Sequence, residues 1–177
     1  MEQIKFNELL LKTAFSCMAC DADIDERELQ LIKQLHKDKQ IFGDIDINAK
    51  LDELLIDINN NGNQFLKDYL RELKVSNLSE NEELKLIEVA ISTIKADDKV
   101  EYSEIKFFKV IRAKLSIENE PILNIHPNFE EYLERDIVSE SYLSKLKNDF
   151  FDTQTLPKFD TISNIDNILL DKTNGEE

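Results

Sequence analysis

A chain of 177 residues is long enough for one sizeable helical core with an appendage, and 41% hydrophobic content fits a folded protein rather than a disordered one. A net charge of -15 argues against a nucleic-acid groove, whose phosphates would be repelled, and disfavours anionic membrane surfaces. With 3 Gly and 3 Pro, the turn punctuation of an all-β fold is missing, so the expected fold class is all-α.

Apolar residues at Phe6, Leu9, Leu10, Ala14, Cys17 and Met18 follow the helical period and predict a first helix over residues 4–20. Leu29, Leu31, Ile32 and Leu35 mark a second. Gly43 and the alternating run from Asp44 to Asn48 read as a loop. Leu51, Leu54, Leu55 and Ile58 give a third helix, stopped by the Asn/Gly-rich residues 59–63. Phe65, Leu66, Tyr69, Leu70 and Leu73 give a fourth. Ser79 with Glu82 is a capping box that opens a fifth helix through Ala96. Ile105, Phe107, Phe108, Ile111 and Leu115 mark the sixth. Beyond Pro121 the pattern loosens, although 129–137 and 141–151 are compatible with helix, and 153–177 reads as an acidic tail. The expected division is therefore a helical domain over 1–117 and a helical extension with tail over 118–177.

The N-terminus lacks the basic start and apolar stretch of a signal peptide, and no apolar run approaches the roughly 20 residues of a membrane span. A cytoplasmic protein is expected. The two cysteines form Cys17-Met18-Ala19-Cys20, late in an apolar helix with no preceding strand. A redox motif of this spacing belongs at a helix N-terminus, and zinc would need two further ligands, while His36 and His126 are distant in sequence. Both cysteines are read as small core residues.

Residues 19–32, ACDADIDERELQLI, begin like a calcium loop at Asp21, Asp23 and Asp25. The EF-hand requirement then fails, because the sixth position is Glu26 rather than glycine and the twelfth is Ile32, which has no ligating oxygen. Sliding the chain by 76 residues shows a second copy. Asp21 falls on Asp97, Asp25 on Glu101 and Glu28 on Glu104, with Ile24 on Val100, Leu29 on Ile105 and Ala14 on Ala90. Each copy is an apolar helix, a short turn carrying an aliphatic residue, and a second apolar helix, which together read as an internal repeat over about 5–40 and 80–116.

The segments Cys20 to Glu28 and Ala96 to Glu104 resemble the Ala-Asp-Gly-x-[Ile/Val]-x-x-x-Glu pattern of the bacterial tellurite-resistance TerB family and its relatives, among them the N-terminal domain of a membrane-linked DnaJ-type co-chaperone. The resemblance covers roughly residues 5–116, and it departs from the family where the glycine is replaced by Ala22 and Asp98. It implies an all-helical, duplicated domain with clustered acids, linked to metal binding and stress response, without a catalytic reaction. It further implies a cytoplasmic protein partner, in an assembly that is often membrane-associated.

Two physical readings of the acids stand side by side. Asp25 and Glu28 suit the capping of the second helix, but Glu101 is a poor capping residue and Asp21 opposes the dipole at a helix C-terminus. A hard-cation site formed by Asp21, Asp25 and Glu28 in one turn and Asp97, Glu101 and Glu104 in the other accounts for both, with Asp23 and Asp98 as further oxygen donors. All-oxygen ligation favours calcium, magnesium or manganese. The competing reading is a metal-independent acidic adaptor for a basic protein, with apolar residues from Phe129 to Phe151 docking in a groove or closing the bundle. No HExxH, GxSxG, P-loop or Glu-x-x-His pair is present, so the chain is expected to be non-catalytic.

Overall fold

In a computed structural model of the chain, residues 3–21, 24, 26–96 and 102–133 are described. Every element among them is helical, as the composition predicts: α1 (Gln3–Ala19), α2 (Glu26–Lys39), α3 (Ile47–Asn61), α4 (Asn63–Val75), α5 (Glu80–Ile94), α6 (Tyr102–Arg112), α7 (Asn119–Ile125), a 3-10 turn (Pro127–Phe129) and α8 (Glu130–Leu133). None of these helices is long and apolar enough to cross a membrane.

The centre is set by α1, whose apolar residues are not confined to one stripe. Phe6, Leu9, Leu10, Leu11, Ala14, Phe15, Cys17, Met18 and Ala19 are all buried, so the helix is enclosed on most sides. Its main partner is α5, which buries Leu86, Ile87, Val89, Ala90, Ile91 and Ile94. Both α2 and α6 touch both members of this central pair, and α3 and α4 pack on α1. A polar contact runs through the core: the Tyr69 hydroxyl donates to Thr13 Oγ1 at 3.0 Å, and Thr13 Oγ1 donates to the Leu9 carbonyl at 2.8 Å. These two buried hydroxyls thereby stay hydrogen-bonded.

Local signals explain most boundaries. Asp46 caps α3 by accepting from the Ala49 amide at 3.1 Å. Gly62, at φ +53, lets the chain leave α3 and enter α4 without the steric penalty a side chain would meet. The capping box of α5 forms as expected, with Ser79 and Glu82 bonded reciprocally. That helix ends at Ile94, two residues earlier than its pattern predicts.

A further helix, spanning Pro121 where the pattern begins to loosen, was not expected from the sequence. Pro121 lies third in α7, within the first turn, where backbone amides have no intrahelical acceptor and proline removes nothing. The α7–α8 arm lies on α5 and α6. Ile122, Phe129 and Leu133 join the common core, and Phe129 meets Phe108 edge-on at 5.1 Å. At the near end of the arm, Glu83 of α5, only 6% exposed, accepts from Ser116 N (2.9 Å), Ser116 Oγ (2.9 Å) and Ile117 N (2.6 Å). Arg112 holds the carbonyl side of the same segment, donating to Leu115 O, Ile117 O and Asn119 Oδ1. Asn119 Nδ2 then donates to Leu133 O at 3.2 Å. Of the helix expected over 129–137, residues 130–133 form α8; its remainder, the helix expected over 141–151 and the acidic tail lie outside the described residues.

Candidate cation site at the acidic turns

Each acidic turn joins a core helix to an outer one. At the end of α1, the Cys20 amide and thiol both approach the Cys17 carbonyl, at 3.5 and 3.0 Å. Ile24 packs its side chain against the core, and α2 begins at Glu26. At the end of α5, the Lys95 amide donates to Ile91 O at 3.2 Å and the Ala96 amide to Thr93 O at 3.0 Å. The helix α6 then begins at Tyr102. The shift of 76 residues that aligns the acids therefore also lays the first residue of α2 on the first residue of α6.

In this frame Glu28 and Glu104 are both the third residue of their helices. Glu82 holds the same position in α5, where it serves a capping box and remains partly exposed. Glu28 and Glu104 instead are enclosed, at 5% and 4% exposure. A capping glutamate has no need of burial, and removing a carboxylate from water costs several kcal/mol unless hydrogen bonds or positive charge compensate it.

The two glutamates act on the same place. Burial is the first cause that pushes the Cys17 thiol well above its ordinary pKa, and the charges of Glu104 and Glu28 push it further. The Cys20 thiol is raised by burial, then by Cys17, Asp21, Glu104 and Glu28. Glu28 from α2, Glu104 from α6 and Asp21 thus all lie within electrostatic reach of the last turn of α1. Each of the three is engaged in an interaction within the chain.

The cysteines take the role expected of them. Both are free, fully buried thiols. A protonated, enclosed thiol is neither a nucleophile nor a ready metal ligand.

Of the eight acids singled out from sequence, Asp21, Glu28 and Glu104 are described, and Asp23, Asp25, Asp97, Asp98 and Glu101 lie outside the described residues. Among the described residues, no group of three or more His, Cys, Asp or Glu is arranged to hold a metal ion. The acid that sequence reading missed is Glu83. Its neighbours in sequence only mark a helix start, and its partners lie more than thirty positions away. A cavity of about 360 Å³ near the start of α1 is lined by Lys5, Glu8, Glu72, Val75, Ser76 and Asn77. Its acids are paired, Glu72 with Lys12 at 2.9 Å and Glu8 with Lys50 at 3.7 Å, and it lies at the opposite end of α1 from the acidic turns. No protein-family model, curated protein or solved structure matches the chain.

Proposed function

We propose that this chain is a non-catalytic, TerB-like cytoplasmic protein of the stress-response, tellurite-resistance type that binds a divalent cation through its two acidic turns. The ion is a hard one, calcium, magnesium or manganese, because every donor in the set is a carboxylate oxygen. Asp21, Asp25 and Glu28 supply one turn and Asp97, Glu101 and Glu104 the other, with Asp23 and Asp98 as supplementary donors. A protein partner, in an assembly that can be membrane-associated, is part of this reading.

The observation that carries it is the burial of Glu28 and Glu104 at the third position of their helices, from which both act on one thiol. Two buried carboxylates whose charges both reach the end of α1 repel one another, and a cation shared between them would relieve that repulsion. Support for a duplicated origin comes from the arrangement of α2 and α6, each touching both α1 and α5.

The test is thermal melting against free calcium, magnesium or manganese. A ligand that binds only the folded state at 100 times its Kd adds about 2.7 kcal/mol. For a chain of this size that corresponds to a rise of roughly 5–10 °C. A midpoint unmoved at millimolar ion refutes the proposal.

A second reading is favoured by the engagement of Asp21, Glu28 and Glu104 within the chain and by the net charge of -15. On it, the protein is a metal-independent acidic adaptor for a basic partner. Salt-sensitive capture of such a partner in the presence of chelator distinguishes it.

A further inference from the structure

His126 stands at the bend of the arm, between α7 and the 3-10 turn. Its backbone is fixed there: the amide donates to Ile122 O at 2.8 Å, and the carbonyl accepts from the Phe129 amide at 3.0 Å. The ring is less well provided for. Its Nε2 is enclosed by protein and has no hydrogen-bond partner among the described residues.

A neutral imidazole with its proton on Nδ1 tolerates that position, because Nε2 then carries only a lone pair. The imidazolium has an N–H on both nitrogens, and the one at Nε2 meets no acceptor among the described residues. Among the described residues two charges bear on the ring, Glu88 within α5 and Lys95 at its C-cap. Glu88 favours the imidazolium, Lys95 opposes it, and burial is the largest influence, so the pKa lies below its ordinary value. The third element of the contact, α6, meets the arm through Phe108 against Phe129 and through the Arg112 guanidinium on Asn119 Oδ1 at the far end of α7 from the ring. Lys95 is itself part of the seam, with its ammonium 4.8 Å from the centre of the Phe129 ring. A positive charge arriving on His126 therefore works against the lysine that covers the arm's main aromatic anchor.

We propose that His126 makes the α7–α8 arm a pH-sensitive element, docked on α5 and α6 while the imidazole is neutral and released when the ring takes up a proton, with the α1–α6 bundle remaining folded. The direction follows from linkage. A histidine whose folded pKa is depressed leaves docking at full strength above the ordinary imidazole range, and docking weakens as pH falls through that range. The inference is independent of the cation site.

Hydrogen exchange on the full chain tests it, at about pH 7.5 and about pH 5, either side of the imidazole pKa of about 6.5, with rates corrected for intrinsic pH dependence. The expected result is a several-fold loss of protection over 119–133 at the lower pH, while α1 and α5 keep theirs. His126→Gln should remove the difference between the two conditions. Glu88→Gln, which deletes the charge favouring the imidazolium, should enlarge it, and this variant decides the matter if His126→Gln leaves the arm undocked throughout. Equal protection of arm and core at both pH values overturns the proposal. So does a pH effect that survives His126→Gln with the arm docked, or arm and bundle losing protection together.

Discussion

Replacing Glu83 by alanine isolates the hold on the segment before α7. The enclosed Glu83 carboxylate takes the buried Ile117 amide and, at the exposed Ser116, a part-buried amide and hydroxyl. The hydroxyl can rotate toward another acceptor, but the two amides are fixed by the backbone. Each buried donor left without an acceptor costs about 1–3 kcal/mol. About 1.5 kcal/mol of side-chain entropy, no longer lost on ordering the glutamate, offsets part of that. Two orphaned amides less that entropy give an expected net loss of about 0.5–4.5 kcal/mol, with a central value of about 2.5 kcal/mol. Urea unfolding followed by circular dichroism measures it, and hydrogen exchange at Ser116 and Ile117 localises it. Glu83→Gln, which keeps one acceptor oxygen, should lose roughly half as much. A loss for Glu83→Ala within about 0.5 kcal/mol, the range of an ordinary surface substitution, refutes the reasoning. Unchanged protection of the two amides does the same.

Other expectations are local. Ser79→Ala should cost about 1 kcal/mol by removing the cap of α5. Its effect should also depend on pH: bonds from the Ser79 amide and hydroxyl hold the Glu82 carboxyl below its usual range. That contribution is present above the unfolded carboxylate pKa and is lost as pH falls through the lower folded value, so mutant and wild type should converge in acid. Gln40 adopts φ +44, a conformation glycine accepts readily, and Gln40→Gly should raise stability by up to about 1 kcal/mol in chemical denaturation. Cys17 and Cys20 should resist a thiol reagent such as Ellman's in the native protein and react fully once it is unfolded in urea, whereas reaction at the native rate of an exposed thiol contradicts their burial.

How much was legible in the sequence depended on the range of the interaction. Helical periodicity located α1 to α6, because each buries a stripe or more of apolar residues whose spacing is local. The capping box at Ser79 and the stop at Gly62 were readable for the same reason, since partner and signal lie within a few residues. What failed was tertiary. The helix α7 is short and contains proline, so its existence depends on the Glu83 and Arg112 contacts that hold its start. At the acidic turns the spacing identified Glu28 and Glu104 as equivalent residues. That both are buried follows from how α2 and α6 pack on α1 and α5, which no local pattern records.

The central claim is best tested by direct binding of manganese to the full chain, followed by the loss of the free-ion paramagnetic resonance signal, with calcium and magnesium as competitors. Saturable binding is expected, and Glu28→Gln and Glu104→Gln should each weaken it, because the two glutamates bear on one place. Manganese that stays free up to millimolar concentration, or binding indifferent to both substitutions, contradicts the account.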